Sequence, residues 1–364
     1  MRLMRRGSWV GYFTAACLLV GCTGTPQIPY SLDTPPLLLV PASSAQAIDQ
    51  RGRFREIFCA VHQNNRQRFD LDSACDDLLI RLSGEPPPTG KAVFLGQPRL
   101  PLQVLLVPGI FNDCIRIEPL RHGLKHLQAL GYGVAKIAVS GRSSSIYNAR
   151  LIKNHLMTPE AGTPVKRILI GYSKGTTDIL ETLIRYPEIR PRISAVVALT
   201  GTVNGSPLAD GLDRDPLTKM AVGLATILCA KGDGGAIQSL RRSERLTWLT
   251  RHQLPDSIAY FSVGAFTQRT NMSSILRPSY DKLAFLDPRN DGQVLFSDMI
   301  IPGSTLLGYA NADHWAVAIP FGRDMPTFAK MVGIDHNHYP RPILLEAIVR
   351  FVEETLLLRE SETK

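Results

Sequence analysis

The ten residues 168–177, ILIGYSKGTT, constrain this chain more than any other stretch. With Arg167 they open as a short apolar strand, pass through Gly171-Tyr172-Ser173-Lys174-Gly175, and run into a helical pattern over 176–186. A G-x-S-x-G pentapeptide between a strand and a helix requires a sharp turn, because small residues on either side of the serine let strand and helix approach closely. Such a turn strains the backbone at Ser173 and projects its hydroxyl above the end of a sheet.

The periodicity around this turn supplies the sheet. Apolar strand patterns occupy 92–95, 100–107, 134–139, 167–170, 193–199, 258–263 and 305–309, and helical patterns lie over 118–130, 146–156 and 176–186. The run 100–107 is nearly all apolar, as expected of a central strand covered on both faces. Strands alternating with helices at this spacing predict an α/β chain, a mostly parallel sheet flanked by helices on both faces. Residues 343–357 form a terminal helix with a wide apolar stripe behind Pro340 and Pro342, expected to cover one edge of the core. Between the strands the pattern loosens: 211–255, with helical candidates over 217–229 and 236–249, reads as a cap inserted above the sheet. Ahead of the sheet, 49–67 and 71–82 have helical spacing and the proline run 86–88 ends it, so 49–90 reads as a helical segment packed on the main domain, 91–364.

A serine hydroxyl alone is a poor nucleophile; it needs a base, and the base needs an orienting carboxylate. On a sheet of this kind the three follow in the order Ser, Asp or Glu, His, each on a loop at a strand's C-terminal end. His314, after the strand 305–309, is the base on this reading, with His336 in reserve. Asp291 occupies the acid's place, with Asp298 and Asp287 as alternatives. An oxyanion needs N–H donors, for which the backbone amides of Lys174 and of Ile110 or Phe111 are suited. The Lys174 side chain is expected to face solvent; beside the nucleophile it would otherwise favour an anionic substrate or lipid head group. Asp335, His336 and His338 do not form a closed ligand set with zinc spacing, so no metal and no cofactor is expected.

At these motifs the chain resembles the α/β-hydrolase lipases and esterases, in particular bacterial triacylglycerol lipases, over most of 100–358. Leu106-Val107-Pro108-Gly109 resembles the oxyanion strand and loop, where the family usually has His-Gly. Gly171 to Gly175 resembles the nucleophile elbow, Gly205-Ser206-Pro207-Leu208-Ala209-Asp210 the run before a lipase lid, Asn290-Asp291-Gly292 the acid loop and Asp313-His314 the base loop. The resemblance implies an α/β-hydrolase fold with a helical cap and hydrolysis of carboxylic esters through an acyl-enzyme. Two departures, Pro108 in the oxyanion loop and Lys174 after the serine, leave the acyl preference open. A non-catalytic binding lipoprotein of the same fold is the rival reading, with acyl transfer, thioester or polyester cleavage as further variants.

The start of the chain reads as a processing signal. Arg2, Arg5 and Arg6 precede an apolar stretch over 9–20, and Leu19-Val20-Gly21-Cys22 resembles a bacterial lipobox. By that resemblance 1–21 is a lipoprotein signal peptide and Cys22 an acylated attachment point, with 22–48 a tether to a bacterial envelope membrane, in the manner of an outer-membrane lipoprotein. The formal charge of +9 falls to +6 without those three arginines. With no basic run interleaved with aromatics, that excess does not indicate nucleic acid. Six cysteines are present; setting aside Cys17 and Cys22 leaves Cys59, Cys75, Cys114 and Cys229, for which Cys59 with Cys75 and Cys114 with Cys229 is the favoured pairing in an oxidising compartment.

Overall fold

In a computed structural model the described residues are 47–110, 112–113, 118–158, 165–211, 232–324, 326–331, 333–336 and 338–362. The signal peptide, Cys22, nearly all of the tether, Phe111, Cys114, Cys229 and the helical candidate 217–229 lie outside them.

Among the described residues, seven strands form one parallel sheet: β1 Ile48–Asp49, β2 Leu102–Val107, β3 Gly133–Lys136, β4 Lys166–Tyr172, β5 Ala195–Leu199, β6 Ala259–Phe266 and β7 Thr305–Asn311. Their order is β1-β7-β6-β5-β4-β2-β3, with every pairing parallel. Period-two alternation sends Val104, Leu106, Ile168, Ile170, Val197 and Leu199 into one core layer and Leu105, Val107, Leu169, Val196 and Ala198 into the other. Helices α1 Arg51–Phe69, α2 Arg121–Ala129 and α7 Arg341–Glu362 close the first layer. Helices α3 Ser145–Met157, α4 Lys174–Arg185 and α5 Arg242–Arg251 close the second, and α6 Arg277–Ala284 lies beyond β6. Both faces are therefore dry, which is why these strands are almost wholly apolar. This is the α/β-hydrolase arrangement, with helical insertions between its later strands.

Four local expectations are corrected. Residues 92–95 are not a strand: the carbonyls of Lys91 and Ala92 accept from Arg53, and those of Phe94, Leu95 and Gly96 from Arg350, so arginine forks replace a sheet neighbour. The helical pattern 71–82 yields only Cys75–Leu78, after which Leu79 makes an antiparallel bridge to Ala310. In the cap, the helical candidate 236–249 holds over its second part as α5, but its first part is a 3-10 turn, Gln238–Leu240. Ile48 is not tether but edge strand, pairing with Thr305.

The segment before β2 is bound into the core. Phe54, Ile57, Phe58 and Val61 of α1 are buried with the sheet and α7. Its buried arginines are each matched: Arg51 with Asp49, Arg53 with Glu354 and Glu56, Arg55 with Glu85 and Asp76. Cys59 and Cys75 are disulfide-bonded across this hairpin. On α7, Glu346 is fully buried and accepts from Arg350 at 2.7 Å and from Asn65 at 3.1 Å, with His126 Nε2 at 2.6 Å, bolting α1, α2 and α7 together. Burial alone would raise the Glu346 carboxyl; the bonds from His126 and Arg350 outweigh it and hold it below its ordinary value.

Candidate active site

Ser173 sits where β4 meets α4, at φ 54°, ψ −126°, a conformation few non-glycine residues adopt. The flanking glycines explain how the turn closes. A Cβ on Gly171 would lie 2.5 Å from the backbone of Thr176, and one on Gly175 would lie 2.1 Å from the Val107 carbonyl oxygen. Gly109 matters for the same reason, since a Cβ there would come within 2.9 Å of the Ser173 Cβ. Strand β2, its loop and the serine turn thus touch backbone to backbone.

The three loops meet at Ser173. His314, on the loop after β7, has Nε2 2.9 Å from Ser173 Oγ and Nδ1 2.5 Å from Asp291 Oδ2. A carboxylate can only accept, so Nδ1 carries the proton and Nε2 is left to accept from the serine hydroxyl. Asp291 is wholly buried; its other oxygen accepts from the amides of Gln293 at 2.9 Å and Val294 at 2.8 Å, closing the tight turn that Gly292 makes at φ 87°. The main chains are joined as well, because His314 N donates to the Asp291 carbonyl at 2.9 Å.

The alternatives are engaged elsewhere. Asp298 accepts from Arg242 at 3.0 Å and from Asn204 at 3.3 Å, and burial raises its carboxyl despite these bonds. Asp287 is held by Arg289 at 2.6 and 2.8 Å. His336 is 43% exposed, lies 3.8 Å from Asp335 and does not line the cavity over Ser173. Among the described residues, the one group of three close enough to hold a metal is Cys59, Cys75 and Asp76, and its two sulfurs are already joined to each other.

Lys174 departs from expectation. Its side chain is 1% exposed and its ammonium donates to Asp178 at 2.6 Å, while Asn148 of α3 donates to the other oxygen of that carboxylate at 2.7 Å. It faces neither solvent nor substrate. An i, i+4 pair on the first turns of α4 ties the helix behind the serine to α3 instead.

Several residues around the site make contacts that the sequence did not assign to them. Tyr172 donates to the His314 carbonyl at 2.8 Å, and its ring lies 5.3 Å from the imidazole at a 30° tilt. Asn112 donates to the Gly109 carbonyl at 3.0 Å, bracing the loop that holds Ile110. Ser206 Oγ donates to the Gln293 carbonyl at 2.6 Å, fastening the start of the cap to the acid loop. Each contact joins distant stretches or sits inside an ordinary turn, so only a motif already known to need it would have shown it.

Above Ser173 and His314 lies a cavity of about 670 Å³. Leu208, Ile237 and Leu240 come from the cap side, Leu283 and Leu286 from α6 and its end, and Ile110, Trp315 and Ile319 from the loops beside the serine and histidine. Its polar lining is confined to a few groups, among them Thr202, Ser206, Ser279 and Gln293. A mostly apolar pocket with a few convergent polar atoms is the form taken by small-molecule sites.

The chain is similar to the metagenomic carboxyl esterase MGS0156, with 39% identity over 88% of this chain and 97% of that one and a TM-score of 0.80. It shares its fold with the lipase BlEst2 of Bacillus licheniformis in mature form, at 22% identity over 67% of this chain and 96% of that one, TM-score 0.51. No protein-family model and no curated protein matches it. The chain belongs to the α/β-hydrolase carboxyl esterases, and it is a serine hydrolase that cleaves carboxylic esters.

Proposed function

We propose that Ser173 is the nucleophile, His314 the general base and Asp291 the orienting acid of an esterase that takes apolar acyl groups. The observation that carries this reading is the unbroken hydrogen-bonded chain from Ser173 Oγ through His314 to Asp291, beneath an apolar cavity. Ser173 attacks the ester carbonyl as His314 Nε2 takes its proton, and Asp291 supports the charge that the imidazole gains. The backbone amides of Lys174, at the head of α4, and of Ile110 or Phe111 receive the oxyanion, a contribution of about 3 kcal/mol per donor in sites of this type. His314 returns the proton to the departing alcohol and then activates water to release the acid. The walls of Leu208, Ile237, Leu240, Leu283 and Leu286 favour hydrocarbon in the acyl chain.

Turnover of short acyl p-nitrophenyl esters tests the assignment. Ser173→Ala and His314→Ala are each expected to lose about 10⁴-fold or more in kcat, whereas His336→Ala keeps at least about a tenth of it. A fluorophosphonate should label the wild-type enzyme and not Ser173→Ala; labelling that survives the substitution would overturn the assignment.

We propose further that Cys22 carries the acyl chains of a bacterial lipoprotein and holds the enzyme at the cell envelope. The support is the basic n-region, the short apolar stretch and Leu19-Val20-Gly21-Cys22. Two or three chains on one residue suffice for stable attachment, since each buried CH₂ is worth about 0.8 kcal/mol. No described helix is long and apolar enough to cross a membrane.

A further inference from the structure

We propose that Asp313, the residue before His314, is a positioning residue that locks the base loop to the rim of the substrate cavity. The proposal rests on the triad reading above. Asp313 is 1% exposed, and both its oxygens are fully engaged. Oδ1 accepts from the amides of Trp315 at 3.0 Å and Ala316 at 2.8 Å, which sets the backbone immediately after His314. Oδ2 accepts from the amide of Ser273 at 3.0 Å and from its hydroxyl at 2.6 Å, forty residues earlier in the chain.

The partner segment is what gives the contact its meaning. Two residues beyond Ser273, Ile275 lines the cavity. On the acid side, the same segment packs against the turn of Asp291: a Cβ on Gly292 would lie 2.9 Å from Met272 Sδ and 3.1 Å from Leu276 Cβ. With His314 N bonded to the Asp291 carbonyl, base loop, acid loop and cavity rim form a closed ring, and Asp313 is the link between its first and third members. Burying a carboxylate is costly unless its acceptor capacity is filled. Here four N–H and O–H donors from two loops fill it, and the bonds are directional, so the carboxylate dictates where the loops sit. A displacement of the imidazole by about 1 Å is enough to cost roughly 100-fold in rate.

Asparagine separates geometry from shape. Asp313→Asn can keep its amide oxygen on Trp315 and Ala316, but its NH₂ then faces the Ser273 amide, donor against donor. The substitution replaces the bond from the Ser273 amide with a donor–donor contact, leaves the rim held only through a reversed bond in which the Ser273 hydroxyl accepts, and spares the turn. Competent sites of wild type, Asp313→Asn and Ser273→Ala are counted with a fluorophosphonate, and kcat and KM for p-nitrophenyl butyrate are expressed per titrated site alongside the thermal midpoint. The expected result is a fall in kcat of about 30- to 100-fold for Asp313→Asn, with KM within about threefold of wild type and the labelling rate constant falling with kcat. Ser273→Ala, which removes one bond of the four, should lose about three- to tenfold. A kcat per site within twofold of wild type in Asp313→Asn would overturn the proposal even if the midpoint drops, because the residue would then serve stability alone. Should Asp313→Asn fail to fold, Ser273→Ala carries the test, and an unchanged kcat per site overturns it. Failure of the triad reading looks different: labelling of the wild type would be absent, or would persist in Ser173→Ala.

Discussion

At the scale of single residues, the site separates groups with the same chemistry by what reaches them. Asp287, Asp291 and Asp298 are all buried, yet only Asp291 meets an imidazole; the others meet Arg289 and Arg242. Asp291→Asn should therefore lower kcat on p-nitrophenyl butyrate by about 10⁴-fold, through loss of the productive tautomer. Asp298→Asn should keep at least half the wild-type rate, and steady-state kinetics of the two variants checks the pair. Ser173 and His314 stood out in the sequence because each sits in a short motif beside a strand, whereas Asp291 shared its place there with Asp287 and Asp298. The place of Lys174 was not legible: whether a lysine reaches water or a carboxylate depends on Asp178 and on Asn148 of another helix, and no local pattern encodes that meeting.

Among the elements, α1 and α7 show how charged side chains take the place of backbone pairing. Arg53 and Arg350 bind five carbonyls of 91–96, so a stretch with strand-like composition runs as a strap over the helices and never enters the sheet. The hairpin under this strap is stapled by Cys59 and Cys75, 16 residues apart in the chain. Closing a loop of that size removes unfolded-state entropy worth about 3 kcal/mol. The double substitution Cys59→Ser with Cys75→Ser should lower unfolding free energy by about that amount in a urea titration, with kcat for folded enzyme little changed because the hairpin lies outside the cavity lining. The pairing was readable in advance because the two cysteines fall in adjacent helical patterns able to fold back as a hairpin.

For the whole molecule, acid should be destabilising in a definite window. Glu346 has its carboxyl depressed below the ordinary value of 4.5, so its contribution is complete above that pH and is lost as pH falls through the lower folded-state value. Glu346→Gln should weaken the fold by about 3 kcal/mol at pH 7, since it leaves Arg350 without its buried partner, and should flatten the dependence of the urea midpoint on pH below 4.5. Equal slopes for the two proteins would argue against this role. The proposed attachment through Cys22 belongs to the same scale: on that proposal Cys22→Ala moves the enzyme from the membrane to the soluble fraction after cell fractionation, with kcat unaltered. From sequence alone came the parallel sheet, the order Ser, Asp, His, and the turn at Ser173, because hydrophobic period and the spacing of glycines about the serine are properties of neighbouring residues. Only the tertiary structure set Asp291, and not Asp287 or Asp298, against His314, buried Lys174, bound 91–96 to arginines and brought Asp313 to Ser273. Each of those outcomes depends on which polar group from a distant stretch arrives first to fill a buried hydrogen-bonding position, and that is decided by packing of the whole chain.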